Sequence, residues 1–381
     1  MLHVKQETPK ALQFVDEALA SLRASSLLRE RPLPDASGAK SFCSNDYLGL
    51  AHRPAPPRPA GAGASRLIAG ERAEHVDLER LVADFVLLPD SLVFTSGYAA
   101  NVGTLAALAA AGDLIVSDAF NHASIIDGAR LSKARIEIVP HLNPGAVQRA
   151  LDQPRSGRAF VVTESYFSMD ADAPDLRSIR RVCNQRGAVM IVDEAHALGV
   201  LGPEGRGLCA EQGVIPEVLI GTFGKAFGAA GAFVAGCPSL VRFLWNRART
   251  FVFSTGLSPA VAAAAAEAIR TALENPGRRE STLNAARLLR AGMAELGISL
   301  AGFGHIIPWI IGDSALALRV ADLLREQGMD VRAVRPPSVP EGTARLRLTV
   351  TAAHEKADIE RALATIGRVL LREGRVAAAG Q

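Results

Sequence analysis

The chain has 381 residues, 49% hydrophobic and 21% charged, which is typical of a globular protein with room for two packed cores and excludes disorder as its main state. The 42 Lys and Arg residues nearly balance 39 Asp and Glu and are spread along the chain, so we expect neither a nucleic-acid partner nor a membrane partner. Four widely spaced cysteines and no signal-like stretch in residues 1–10 favour a cytoplasmic protein without a metal site or disulfide framework.

The apolar pattern along the first two thirds of the chain is that of an α/β protein. Residues 1–45 hold a predicted helix over 11–28, and we expect this segment to pack against a smaller C-terminal domain. Strand and helix patterns then alternate, which predicts a mainly parallel sheet flanked by helices, in a large domain over 46–276. The predicted strands there are 91–95, 114–117, 136–139, 160–163 and 189–192, and the helices include 76–88 and 173–185.

The pattern changes after residue 277. Long helical stretches and two strand-like segments predict a smaller α+β domain over 277–381. The helices are expected at 281–296, 315–326 and 354–371, and the strands at 306–311 and 345–350. The alanine-rich stretch 258–269 contains Glu267 and is shorter than the roughly 20 apolar residues of a membrane span, so we interpret it as a buried helix.

Polar, glycine-rich segments follow the predicted strands, where a parallel sheet binds its ligands. The segments are T-S-G-Y-A-A-N at 95–101, D-A-F-N-H-A-S at 118–124, E-S-Y-F-S-M-D at 164–170, D-E-A-H at 193–196 and G-T-F-G-K-A-F-G at 221–228. The helix start near Gly97 suits a phosphate, because its backbone N–H groups are free. Helix capping by chance does not explain all five segments together.

Two of these residues have more than one interpretation. Lys225 is either a solvated lysine or a reactive amine, and Asp193 is either a helix N-cap or a carboxylate that keeps a heterocyclic nitrogen protonated. The D-E-A-H segment is not that of an ATPase, because Ala226 follows Lys225 where a phosphate loop needs Ser or Thr. Arg66 likewise replaces the third glycine of a dinucleotide fingerprint.

Taken in order, these segments resemble the α-oxoamine synthase family of fold-type I pyridoxal-phosphate (PLP) enzymes over nearly the whole chain. The matching segments are N-D-Y-L-G-L from Asn45, G-A-G-A-S-R from Gly61, S-G-Y-A-A-N from Ser96, N-H-A-S from Asn121, F-S-M-D from Phe167, D-E-A-H from Asp193 and T-F-G-K-A-F-G from Thr222. The resemblance implies a PLP-dependent acyltransferase with a large cofactor-binding domain and a small α+β domain.

The resemblance also implies roles for the cofactor-binding residues. Lys225 would form the Schiff base with PLP and later transfer a proton. Asp193 would pair with the pyridinium nitrogen, His196 would hydrogen-bond the phenolic oxygen, and His122 would stack on the ring. The remaining expected contacts are Ser168 near the ring, Gly97, Tyr98 and Thr222 at the phosphate, and Ser254 and Thr255 at the phosphate of a neighbouring subunit, which implies a homodimer.

For the substrates, the resemblance implies that Arg347 binds an amino-acid carboxylate, with His122 beside it. Asn45 and Ser338 would lie near the substrates, and Arg29 would meet the distal carboxylate of an acyl chain. Within the family, residues 335–349 most resemble members that condense L-alanine with pimeloyl-CoA or a pimeloyl carrier protein and release CoA and CO2. Three alternatives stay open, namely a relative that uses glycine and another acyl-CoA, an aminotransferase on the same fold, and a cofactor-free binding protein.

Overall fold

Within residues 9–29 and 38–373, the part of the chain that the computed structural model describes, the backbone builds three β-sheets and the helices around them. In chain order the strands are β1 (Lys40–Ser41), β2 (Asp90–Phe94), β3 (Leu114–Asp118), β4 (Arg135–Val139), β5 (Ala159–Glu164), β6 (Val189–Asp193), β7 (Val218–Thr222), β8 (Ala232–Gly236), β9 (Ile306–Gly312), β10 (Met329–Asp330), β11 (Ala333–Val334) and β12 (Ala344–Thr349). The α-helices are α1 (Gln13–Ala24), α2 (Ala73–Val86), α3 (Gly97–Leu108), α4 (Ala123–Ser132), α5 (Pro144–Asp152), α6 (Leu176–Arg186), α7 (Leu208–Gln212), α8 (Pro238–Arg247), α9 (Arg249–Val252), α10 (Pro259–Glu274), α11 (Pro276–Glu295), α12 (Ser314–Glu326) and α13 (Lys356–Glu373).

The large sheet has the strand order β2-β8-β7-β6-β5-β3-β4. Its neighbouring strands are parallel except at β8, which runs antiparallel to both β2 and β7. The predicted mainly parallel α/β sheet is therefore confirmed, and the five predicted strands lie within one residue of β2 to β6 at each end. The five predicted strands do not include β7 or β8, and in β8 only Phe233 and Val234, between Ala and Gly residues, favour a strand.

Helices cover both faces of this sheet because its strands are apolar on both faces. In β5, Val161 belongs to one apolar cluster, whereas Phe160 and Val162 belong to a second cluster on the opposite face. The first cluster includes residues of α2 and α10, and the second includes residues of α3 and α4. Alternate side chains of a strand point to opposite faces, so a continuous apolar run such as that of β5 indicates a buried central strand.

A third apolar cluster surrounds the antiparallel sheet β11-β12-β9 and includes Trp309, Leu346 and residues of α11, α12 and α13. The strands predicted at 306–311 and 345–350 correspond to β9 and β12. Near the N-terminus, β1 pairs with β10 and Phe42 joins this third cluster, whereas α1 contains no buried residue. The domain limits expected at 45/46 and 276/277 stay a prediction.

Several helices differ in length from the predicted ranges for local reasons. The helix predicted at 173–185 begins at Leu176, because Pro174 precedes Asp175, whose Oδ1 accepts the Ser178 N–H at 3.0 Å and caps α6. The stretch 11–28 forms a 3-10 turn followed by α1, which ends at Ala24. The stretch 258–269 lies in α10, and none of the described helices combines the length and apolarity needed to cross a membrane.

Candidate active site

The chemistry-bearing segments meet at one edge of the large sheet. The strands β3, β5, β6 and β7 run parallel, so the loops that follow them open on the same side. Asp118, Glu164, Asp193 and Thr222 end these four strands, and Lys225 lies in the loop after β7. The structure thus brings together the strand ends that the sequence predicts to be functional.

Asp193 is buried and accepts hydrogen bonds only from neutral groups among the described residues. Its Oδ2 accepts the Asn101 Nδ2–H at 2.7 Å, and its Oδ1 accepts the Ala195 N–H at 2.8 Å. Asn101 Nδ2 also donates to Ser124 Oγ at 3.0 Å, so it orients the carboxylate from α3. A buried carboxylate that accepts no hydrogen bond from a cationic side chain is suited to bind a cationic nitrogen of a ligand.

Lys225 lies beside this carboxylate in the loop between β7 and β8. Burial lowers its pKa to about 8, against the opposing charges of Asp193 and Glu164. Within the described residues its Nζ makes no hydrogen bond or ion pair. A substantial fraction of neutral amine is therefore present near neutral pH, and the neutral amine is the nucleophilic form.

The glycine that closes the Lys225 turn is required by close backbone packing. Gly228 has a φ of +60°, and a Cβ there would lie 2.3 Å from the backbone nitrogen of Ala51. We expect Gly228→Ala to lower the free energy of unfolding by about 3 kcal/mol, because it combines left-handed strain with overpacking. Gly187 has a similar φ of +63°, and a Cβ there would meet no atom within 4 Å, so Gly187→Ala is the control and should cost about 1 kcal/mol. Urea denaturation of both variants measures the difference, and equal losses would contradict the packing argument.

His122 is held between the ends of β3 and β5. Its backbone N–H donates to Glu164 Oε1 at 2.8 Å, and its Nδ1 accepts the backbone N–H of Ser124 at 3.3 Å. Burial lowers the pKa of His122, and the charge of Lys225 acts in the same direction, so the ring is neutral at pH 7. Burial and the charge of Asp193 raise the pKa of the Glu164 carboxyl to about 8. Glu164 was not singled out from the sequence, although it begins one of the quoted segments.

His196 and Arg347 meet at the hydroxyl of Tyr47. Tyr47 Oη lies 2.8 Å from His196 Nδ1, donates to Asn45 Oδ1 at 2.9 Å and accepts from Arg347 Nη2 at 3.2 Å. Arg347 also donates to Asn45 Oδ1 at 3.1 Å and to the Ser168 carbonyl at 2.7 Å. Burial, together with the charges of Lys225 and Arg347, holds the pKa of His196 well below its usual range, so that ring is neutral.

Three predicted phosphate residues are close to one another. A Cβ on Gly97 would lie 3.8 Å from the Thr222 side chain, so the start of α3 adjoins the end of β7. Thr222 Oγ1 donates to the Gly231 carbonyl at 3.0 Å and accepts the Gly224 N–H at 3.1 Å. The Tyr98 hydroxyl donates to Asp127 Oδ2 at 2.5 Å, which directs that side chain outward. The first backbone N–H groups of α3 are available to an anion there.

Ser254 and Thr255 line a different part of this chain from Lys225, Asp193 and His122. They line a small pocket that Arg66, Thr95 and Thr250 share. None of the hydrogen bonds of the described residues connects either hydroxyl to Lys225, Asp193 or His122. Their expected contact with the phosphate of a neighbouring subunit stays a prediction.

A cavity of about 290 Å³ lies between the large sheet and the loop that precedes β12, and we call it the Ser338 cavity. Its lining includes Phe120, Phe167, Ser168, Met169, Ser338 and Val339. Arg29 Nη2 donates to Ser338 Oγ at 3.3 Å, across 309 residues of sequence. The structure therefore brings together Arg29 and Ser338, which were both predicted to meet the substrates.

Beside this cavity, His141 pairs with Asp118 at 2.7 Å and with Asp172 at 3.2 Å. Burial acts against the charged ring, but the hydrogen bonds of the two carboxylates outweigh it and raise the pKa of His141 to about 9. This stabilisation is fully present below the unfolded pKa of about 6.5 and is lost as the pH rises through 9.

We therefore expect the free energy of unfolding to fall by up to about 3 kcal/mol between pH 6.5 and pH 9.5 because of this histidine. Urea denaturation across that range should show the fall in the unsubstituted protein and a smaller fall in His141→Gln. Parallel curves for the two proteins would contradict the assignment of a raised pKa to His141.

Comparison with known proteins agrees with this geometry. Residues 40–366 match the family model described as aminotransferase class I and II. The chain is 44% identical over 356 residues to the 8-amino-7-oxononanoate synthase of Methylococcus capsulatus, covering 90% of this chain and 92% of that protein. It is 41% identical over 382 residues to that of Alkalilimnicola ehrlichii, covering 94% and 98%. The structure of serine palmitoyltransferase from S. paucimobilis with a bound PLP–myriocin aldimine superposes with a TM-score of 0.88 at 26% identity, covering 97% of this chain and 100% of that chain.

We call Lys225, Asp193, His122, His196 and Thr222 the strand-end cluster. The fold and this cluster define a fold-type I PLP-dependent transferase. The residues fit that cofactor, since a buried carboxylate, an amine of lowered pKa, two neutral imidazoles and a helix start with free N–H groups lie together. The chain belongs to the class I and II aminotransferase family and, within it, to the 8-amino-7-oxononanoate synthases.

Proposed function

We propose that the chain condenses L-alanine with a pimeloyl thioester and releases 8-amino-7-oxononanoate, CoA (or the free carrier protein) and CO2, as a step of biotin biosynthesis. The observation that carries this proposal is the 41–44% identity, over nine tenths of the chain, to proteins of that name. In the reaction a C–C bond forms between the α-carbon of alanine and the acyl carbon. The thiolate leaves, the alanine carboxylate departs as CO2, and a proton returns to the former α-carbon.

The strand-end cluster would hold PLP. Bound there, PLP supplies an electron sink for the electrons left at the α-carbon. Asp193 keeps a proton on the pyridine nitrogen, and Asn101 orients this carboxylate through its 2.7 Å hydrogen bond. His196 would hydrogen-bond the phenolic oxygen, and His122 would cover the ring face. The phosphate would bind at Gly97, Tyr98 and Thr222, and Ser168 would lie near the ring.

Lys225 would both bind the cofactor and carry a proton. When its amine is free, Nζ accepts the α-proton of alanine, which its pKa of about 8 allows near neutral pH. Burial keeps bulk water from competing for this proton. Glu164, at the end of β5, raises the pKa of Lys225 when it is ionised, against the effect of burial.

The substrates would bind on either side of Ser168. Arg347 would bind the alanine carboxylate, with Asn45 and Tyr47 fixing the guanidinium plane. The Ser338 cavity, whose lining includes Phe120, Phe167 and Val339, suits the methylene chain of the thioester. Arg29, bonded to Ser338, would bind the distal carboxylate of that chain.

A homodimer in the cytoplasm is also part of the proposal. A groove of about 480 Å³ lies between α3, α8 and α9, and Phe253 at its edge is 72% exposed. Apolar surface of this kind is typical of a covered interface. Ser254 and Thr255, which follow Phe253 directly, would then reach the phosphate site of the second copy.

The proposed reaction is tested by thiol release from pimeloyl-CoA by the PLP-loaded protein, with L-alanine compared with glycine. Alanine-dependent release together with 8-amino-7-oxononanoate detected by mass spectrometry supports the proposal. Release only with glycine and a shorter acyl-CoA would support a related synthase. Conversion of alanine to pyruvate with an added keto acid, without thiol release, would support an aminotransferase.

The role of Arg347 gives a separate prediction. In Arg347→Lys the single ammonium cannot make the two parallel hydrogen bonds of a guanidinium, so we expect the KM for L-alanine to rise at least about tenfold. The KM for pimeloyl-CoA should change by less than about twofold. Arg332 is an exposed arginine between β10 and β11, and Arg332→Lys is the control. An unchanged alanine KM in Arg347→Lys would move the carboxylate site elsewhere.

A further inference from the structure

His141 is outside the proposed set of cofactor and substrate residues, yet it joins three strand-end loops. It follows β4, and its Nδ1 donates to Asp118 Oδ1 at 2.7 Å at the end of β3. Its Nε2 donates to Asp172 Oδ2 at 3.2 Å in the loop after β5. A carboxylate at each ring nitrogen requires a proton on both, so the ring is a charged double donor.

The same ring lies against two phenyl rings that face the Ser338 cavity. Its centroid is 4.3 Å from that of Phe120, with a tilt of 31°, and 4.5 Å from that of Phe167, edge to face at 87°. Both phenyl rings line the cavity, whereas His141 does not. His141 therefore supports the aromatic wall of the cavity from behind.

The carboxylate of Asp118, which binds His141, also accepts hydrogen bonds from backbone N–H groups on the aromatic side of the cavity. Its Oδ1 also accepts the Phe120 N–H at 2.9 Å, and its Oδ2 accepts the Leu142 N–H at 3.0 Å. Phe120 is 42% exposed, whereas Phe167 is 2% exposed. The backbone of Phe120 is held by Asp118, and its half-exposed ring lies against His141.

We propose that His141 is a positioning residue that sets the shape of the Ser338 cavity, and so the length of acyl chain it accepts, by holding Phe120 against the cavity. The inference rests on the proposed function, because it takes the cavity to be the acyl site. Its chemical target is an apolar acyl chain of medium length. Without the charged ring, two carboxylates lose their shared partner and Phe120 loses the surface on which it stacks.

The experiment compares His141→Gln with His52→Gln, the same substitution at an exposed histidine. The Kd of pimeloyl-CoA for the PLP-loaded protein is measured by calorimetry without alanine, so that no turnover occurs. Thiol release with alanine is then measured for straight-chain acyl-CoAs shorter and longer than pimeloyl-CoA. The cofactor absorbance on addition of alanine alone reports whether the amino-acid side of the site is intact.

In His141→Gln we expect the Kd of pimeloyl-CoA to rise at least tenfold and the preference among chain lengths to flatten. The apparent Kd for alanine from the absorbance titration should change by less than twofold. His52→Gln should behave as the unsubstituted protein. A Kd within twofold, or an equal loss of affinity for alanine and thioester, would overturn the proposal. If His141→Gln does not fold, Phe120→Leu alters the wall with the ion pairs intact and should shift the chain-length preference, whereas an unchanged preference would overturn it.

Failure of the proposed function gives a different experimental result from failure of the His141 proposal. In that case the unsubstituted protein itself releases no thiol from any acyl-CoA in the presence of alanine. Failure of the His141 proposal alone leaves that activity, and its chain-length preference, the same in the variant as in the unsubstituted protein.

Discussion

Lys225→Ala is expected to reduce thiol release with L-alanine and pimeloyl-CoA by at least about a thousandfold, because both the covalent attachment and the proton transfer are lost. Borohydride treatment of the unsubstituted protein should fix the cofactor on the peptide that contains Lys225, and the variant should show no such adduct. The geometry behind the prediction is the position of the half-buried Lys225 beside Asp193 and Glu164, where burial lowers its pKa to about 8.

Lys356→Ala is the matched control, because this lysine lies exposed on α13 and pairs only with Glu360 in the described residues. It should keep full activity and the adduct at Lys225. A cofactor adduct at another lysine in the unsubstituted protein, or turnover in Lys225→Ala within tenfold of normal, would contradict the assignment.

The second large effect is expected for Asp193→Asn, which should lower kcat at least about a hundredfold. The amide cannot hold a proton on a ring nitrogen as a carboxylate does, so the cofactor loses its capacity to take up electrons. The substituted amide would also meet the Asn101 Nδ2–H, which now donates to Asp193 Oδ2 at 2.7 Å. Steady-state kinetics at saturating alanine and pimeloyl-CoA measure the loss.

Two further variants separate charge from orientation. Asn101→Ala removes the hydrogen bond and keeps the carboxylate, so it should cost only about tenfold in kcat. Asp175→Asn replaces the exposed cap of α6 by another good capping residue and should leave kcat unchanged. Equal losses in Asn101→Ala and Asp193→Asn would mean that orientation, and not charge, is what Asp193 contributes.

The sequence predicts the sheet and the strand-end segments because both depend on local patterns. The strands β5 and β6 consist mainly of apolar residues, the segment around Asp193 begins at the end of β6, and the segment around Lys225 follows the apolar residues of β7. The antiparallel β8 has only two strand-favouring residues, Phe233 and Val234, between Ala and Gly residues, so its local pattern is weak. The start of α6 was placed three residues early, because its apolar spacing continues upstream of the Asp175 cap.

The parts that the sequence does not predict are contacts between distant residues. Asn101 meets Asp193 across 92 residues, and Tyr47 meets His196 across 149. Neither the periodicity of apolar residues nor the spacing of motifs indicates that such distant residues are in contact, even though both Asn101 and Tyr47 lie inside quoted segments. Glu164 was missed for another reason, since its significance depends on burial beside Lys225. The roles of all these residues remain predictions that the variants above test.

The hydrogen bonds of Arg347 have a stereochemical consequence. A guanidinium has five N–H groups, and Ser168, Tyr47 and Asn45 take one each from Nε, Nη2 and Nη1. One N–H remains on each terminal nitrogen, and these two lie in one plane. An alanine carboxylate bound to that pair would have its plane fixed, and with the amino group also held at the cofactor site, the α-hydrogen of only one enantiomer would point towards Lys225. The handedness of the substrate would then be selected by how many donors the protein leaves free on one side chain.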